Sequence, residues 1–229
     1  MMIATGILLI ALPILFNVFF AALSGVFEYP GILRQSTPEV LAKFRAGGSR
    51  LLLIWWGFAM TAVLFAPVAV LLSAQLTGAD ATLLAITTTV GVLAAAVQFL
   101  GLVRWPFMVP FLARESETAS PARAEAIDIV FQAFNRYLGV AVGEHLGYLL
   151  TGAWSVLVGA AALSSGLLPA WIGLVGIVVG TVLALCSLEF VGPFEKNGWK
   201  LAGAVVPIAY IAWSAWLAAT GILIIIAGV

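Results

Sequence analysis

The sequence predicts an all-α integral membrane protein: a six-helix transmembrane bundle with two amphipathic helices on the cytoplasmic side. Three observations carry this reading. Hydrophobic residues make up 63% of the 229 residues and charged residues only 9%, with a mean hydropathy of +1.17. Soluble domains carry about 25% charged residues, so lipid must solvate much of this chain. Six stretches reach the length of about 20 apolar residues that a helix needs to cross a hydrocarbon core of about 30 Å. Every lysine and arginine falls in, or near the inner end of a span beside, three alternate connections between those stretches. Helices follow because an unpaired backbone group in lipid costs several kcal/mol. The alternating pattern of a membrane barrel is absent.

The spans are expected at 3–27, 51–76, 82–110, 137–163, 169–191 and 201–229, in one transmembrane domain over 1–229. The first has no positive residues before it and is too long for a signal-peptide core, so it is expected to be retained. The third is extended to Pro110 because Trp105, Pro106, Phe107, Met108 and Val109 are still apolar or proline.

Orientation follows from the basic residues. Arg34, Lys43, Arg45 and Arg50 lie between spans one and two. Arg114, Arg123 and Arg136 lie between three and four, with Arg104 near the same end of span three, and Lys196 and Lys200 lie between five and six. The positive-inside rule places these connections in the cytoplasm and both termini outside. Trp55, Trp56, Trp105 and Trp199 fall near the inner interface and Trp171 near the outer one, as an aromatic belt would. The outer connections, 77–81 and 164–168, are too short for a domain.

The inner connections carry helix signals. Thr37-Pro38 reads as a cap followed by proline at the first helical position, and Ser120-Pro121 repeats it. Val40, Leu41 and Phe44 form an apolar stripe after the first, and Ile127, Phe131, Phe134 and Leu138 after the second. These helices either lie on the inner membrane surface or pack on the protein itself. Pro30, Arg34 and Thr37-Pro38 are echoed by Pro110, Arg114 and Ser120-Pro121, a faint repeat of helix-hairpin units.

Polar groups inside the spans mark the candidate site. An ionisable side chain at mid-span costs about 2.5–3.5 kcal/mol and usually faces the bundle interior. Glu144 and His145, the only histidine, lie in span four. Glu144 is about 10 Å into the span from Tyr137, and Arg104 about 9 Å in from the same side, at about 1.5 Å per residue. These depths predict an Arg104–Glu144 ion pair within the bundle. Tyr148 is one turn above Glu144, and Asn17 and Gln98 add polar groups near mid-membrane.

Two readings of this cluster compete. In one, it lines a cytoplasm-facing pocket that binds or transports a small polar or anionic solute, or relays protons, with Glu144 and His145 titrating and Arg104 as the anion contact. In the other, it is an interhelical pin in a scaffold or complex subunit. A membrane-embedded enzyme ranks third. Gly139, Gly143 and Gly147, continued by Thr151, and Gly176 with Gly180, allow close helix approach. They serve either packing within the bundle or a homodimer seam.

Several functions lack their motifs. No Gly-rich phosphate loop and no Gly-x-Ser-x-Gly elbow occurs. Cys186 is the only cysteine, so neither an intrachain disulfide nor a multi-cysteine metal site is expected. No catalytic residue, metal or cofactor is assigned. Net charge is zero and no basic run suggests nucleic acid, so the expected partners are the lipid bilayer and a small solute.

The run FNRYLGVAVGEHLGYLLTGAW at 134–154, with FRAGG at 44–48 and Trp55-Trp56, resembles the bacterial membrane family catalogued as domain of unknown function 4386. That resemblance implies a bacterial plasma (inner) membrane and a similar size and helix count. It supplies no activity and no catalytic residue.

Overall fold

The computed structural model describes residues 1–228; Val229, where the sixth expected span ends, lies outside them. Seven α-helices follow in order: α1 Met2–Phe27, α2 Thr37–Gln75, α3 Ala81–Glu115, α4 Pro121–Phe134, α5 Gly147–Ser165, α6 Ala170–Cys186 and α7 Lys200–Ala227. A π-helix, Asn135–Leu146, joins α4 to α5 without a break. No strand occurs among the described residues. Six helical segments are long and apolar enough to cross a membrane, with α4, the π segment and α5 counting as one. Ile14, Leu53, Phe107, Val178, Ile208 and Ile211 are exposed, on the surface that a bilayer covers.

α2 joins an inner helix to a span. Gly48 breaks it with φ 55° and ψ −152°, a conformation only glycine adopts freely. The preceding segment buries Val40, Leu41 and Phe44 in the protein's own core, and Ile127 and Phe131 of α4 are buried in the same cluster. Both apolar stripes are therefore covered at least partly by protein, although Phe134 is exposed. The cap of α2 is Ser36, one residue before the position expected from Thr37-Pro38. Its backbone N–H donates to Glu39 Oε2 at 2.9 Å, completing a capping box. These bonds hold Glu39 below the usual carboxylate range. Thr37 instead bonds Asp128 and accepts from Gln132 Nε2 at 3.0 Å, tying α2 to α4. Ser120 caps α4 as expected.

Two cores stack along the bundle. One contains Leu9, Phe65, Trp154, Trp213 and Trp216, where bundle helices meet near the short connections. The other contains Phe27, Phe44, Trp55, Trp105 and Phe131, at the end carrying the basic connections. Trp55 and Trp105 stack with centroids 4.4 Å apart, and both are fully buried. They are thus core residues and not part of an aromatic belt, because α3 continues past Pro110 and the helix before Gly48 covers them. Trp56 and Trp171 do face outward.

Both glycine rows are used inside the chain. A Cβ on Gly101 would lie 2.5 Å from Gly143 Cα. Gly152 and Gly180 abut each other's backbone, and Gly176 lies under the Trp216 ring. The close-approach faces read as a homodimer alternative are already filled by the chain's own helices. Gly101→Ala should therefore lose about 1–3 kcal/mol through overpacking against backbone. Gly25→Ala, with nothing within 4 Å, should gain about 0.5–1 kcal/mol from helix propensity. Melting in detergent checks this; equal effects at both sites would contradict the packing.

Candidate functional site

The site is built on the π segment. Within it the N–H groups shift to carbonyls five residues back, a geometry that is rare and concentrated at functional sites. The wider turn suits a row of small residues four apart, and Gly139, Gly143 and Gly147 all face α3. Gly139 makes room for Arg104, Gly143 meets Gly101, and Gly147 lies beside the Gln98 side chain.

Arg104 is only 8% exposed. Its Nη1 donates to the Gly101 carbonyl on its own helix, and its Nη2 to Asn135 Oδ1 at 3.0 Å. The guanidinium also lies 5.3 Å from the Trp105 ring centroid. The expected ion pair with Glu144 is not formed: the salt bridges among the described residues join Lys43 to Glu28, Arg123 to Glu115, and Arg136 to Glu195. The reason is geometric. The guanidinium fills the space left by Gly139, five residues before Glu144, and neutral partners there take up its N–H groups. Arg104 and Glu144 remain electrostatic neighbours.

Glu144 is therefore without a partner, making no hydrogen bond and no ion pair among the described residues. Its side chain is half-buried. The sealed, unpaired side-chain polar atoms are Trp55 Nε1 and Trp154 Nε1, so the Glu144 oxygens still touch accessible space. Tyr148 and Tyr210 lie within its field, their rings 5.6 Å apart. Tyr29, in the α1–α2 connection, completes the group. Burial pushes its phenol up to about 12, with Glu144 adding to the shift and Arg104 opposing it. It is a neutral hydroxyl at physiological pH.

The other sequence candidates separate from this group. His145 Nδ1 lies 2.8 Å from the Ser187 carbonyl. A carbonyl only accepts, so Nδ1 carries the proton, and His145 turns away from Glu144. Asn17 donates to the Pro13 carbonyl at 2.7 Å and to Ser214 Oγ at 2.9 Å, joining α1 to α7. Gln98 donates to Thr151 Oγ1 at 2.6 Å, joining α3 to α5. A groove of about 270 Å³ runs between α1 and α7 past Asn17 and Ser214, and one of about 190 Å³ lies between α6 and α7. Neither includes Glu144, Arg104 or Tyr148.

Sequence reasoning missed Asn135, Tyr29, Tyr210 and Glu189. Glu189 lies in the turn Ser187–Phe190 after α6, against Gly203, and acts on Glu144. It fell inside an expected span, so the rule that selected Glu144 could have found it. Tyr210 was a lone phenol in an apolar span. Asn135 and Tyr29 carried no local signal.

A family model described as "Domain of unknown function (DUF4386)" matches residues 4–221. No curated protein and no solved structure matches the chain.

This geometry separates the two charges. Arg104→Gln should cost about 1.5–3 kcal/mol, the scale of hydrogen bonds to a charged group. Glu144→Gln should change stability by less than about 1 kcal/mol, because it breaks no bond. Thermal or denaturant unfolding in detergent checks both; a larger loss at Glu144 would show that the carboxylate has a structural partner.

Proposed function

The chain belongs to the family described as domain of unknown function (DUF4386), and from that premise we propose that it binds or transports a small polar solute at Glu144. The site is proposed to open toward the cytoplasm of a bacterial plasma membrane. The observation that carries this reading is the half-buried, unpartnered Glu144 carboxylate between apolar helices. A carboxylate in such a place costs several kcal/mol, and no protein donor offsets that cost. A solute or water supplies the missing donors.

The orientation rests on the basic connections, all at one end of an alternating bundle, which the positive-inside rule puts in the cytoplasm with both termini outside. The scaffold reading keeps support from one observation: Arg104 is buried and donates to Gly101 and Asn135. We assign Arg104 to the structure, as a positioning residue for the π segment, and Glu144 to the solute.

Cysteine accessibility tests orientation and access together, in a Cys186→Ser background. An impermeant maleimide on intact cells should label Ser164→Cys, and should label Thr118→Cys only after permeabilisation. The reverse pattern would invert the topology. Glu144→Cys should react with a small methanethiosulfonate, while Val158→Cys, fully buried, should not. An inert Glu144→Cys would end the solute-site reading.

A further inference from the structure

Asn17 carries an amide into the first span, at the seam between α1 and α7. With α1 running from Met2 to Phe27, it lies about 22 Å from one end and about 15 Å from the other, at about 1.5 Å per residue. That is deep in the hydrocarbon. Its orientation is fixed by its neighbours. Nδ2 donates to the Pro13 carbonyl at 2.7 Å and to Ser214 Oγ at 2.9 Å. A carbonyl only accepts, so the amide nitrogen is the atom that faces it, and both Nδ2 hydrogens are used. Oδ1 then has no donor among the described residues. It is half-buried with its residue, and the sealed unpaired atoms are Trp55 Nε1 and Trp154 Nε1 alone. Oδ1 is therefore accessible from outside. The Ser214 hydroxyl accepts from Asn17, and its own hydrogen has no acceptor among the described residues.

These two spare valences lie on the groove of about 270 Å³ between α1 and α7. Its other lining residues are Pro13, Ile14, Ala215 and Ala218. Ile14 is exposed, as are Val18 and Ile211 nearby, so the groove opens on the surface that a bilayer covers.

The occupant has to bring a donor to this depth, because an unpaired amide oxygen in hydrocarbon costs several kcal/mol. Acyl chains have no donor, and lipid headgroups stay at the interface. A second copy would present the same concave face. Its spare donor would be Ser214, only 8% exposed behind a rim that includes Ile14, so a slender group reaches this floor and a helix face does not. A water would fill the floor and leave the apolar length of the groove empty. A hydroxyl on an apolar body meets each requirement. It donates to Asn17 Oδ1 and accepts from Ser214 Oγ, and these atoms belong to one hydrogen-bonded pair, so a single hydroxyl reaches both.

We propose that the α1–α7 groove is an intramembrane binding site for a lipophilic alcohol, its hydroxyl seated between Asn17 and Ser214. The proposal is independent of the solute site at Glu144, which does not line this groove.

The test uses the full chain in detergent and an aliphatic decanol carrying a photoreactive diazirine, with labelled residues mapped by mass spectrometry. The competitors are decan-1-ol, its methyl ether, which accepts but cannot donate, and undecane. Labelling should concentrate on α1 and α7 around the groove. Decan-1-ol should compete at a concentration about tenfold lower than its ether, the scale of one lost hydrogen bond. Ser214→Ala and Asn17→Leu should each abolish the difference between alcohol and ether, and their unliganded melting temperatures show that they are folded. Labelling spread evenly over the lipid-facing helices, or equal competition by ether and undecane, would overturn the proposal. So would high-yield disulfide crosslinking between copies through Ala215→Cys, in membranes and in the Cys186→Ser background, which would assign the groove to a second copy.

Discussion

A guanidinium in apolar surroundings is costly unless its N–H groups are taken up, and at Arg104 that requirement organises the contact between α3 and the π segment. One donor goes back to the Gly101 carbonyl and another crosses to Asn135. Gly139 leaves the space that the group occupies, and Gly101 and Gly143 let the two backbones close beside it. Side chains on α-helices lean toward the N-terminus of their helix, which carries Arg104 back toward Gly101.

The same arrangement leaves Glu144 unsatisfied. It sits one π turn past Gly139, beyond the guanidinium's bonds, and the chain supplies tyrosines there in place of a counter-ion. The two tryptophan-rich cores lie on either side. Tyr210 packs against one and Tyr29 against the other. Asn17–Ser214 and Gln98–Thr151 fasten neighbouring helix pairs. Such bonds contribute only about 0.6 kcal/mol each on average, enough to fix register.

Much of this was legible in the sequence. Composition and basic-residue spacing sufficed for an all-α bundle of six spans, because lipid burial leaves few alternatives. The cost of intramembrane charge singled out Arg104 and Glu144. The expected ion pair failed because equal depth does not decide facing: Gly139 opens the space that the Arg104 guanidinium takes, Gly101 and Asn135 accept from it there, and ten residues of span four are π-helical. A π turn has no composition of its own; here the glycine row four apart was its trace, and it read equally well as close packing. Trp55 and Trp105 misled for a related reason. Their positions suggested an interface, but a helix before Gly48, bent back by one glycine torsion, buries them. Tyr210 and Tyr148 meet only through tertiary folding, which no local pattern records.

The central claim is that Arg104 is held by neutral neighbours and that Glu144 is left for something outside the chain. Double-mutant cycles measure this directly, because pair coupling survives subtraction of the single effects. Arg104→Gln combined with Asn135→Leu should show a coupling of about 1–3 kcal/mol. Arg104→Gln combined with Glu144→Gln should show a clearly smaller one, from charge at a distance. A larger coupling to Glu144 than to Asn135 would mean that the acid and the guanidinium are partners, and would contradict the account.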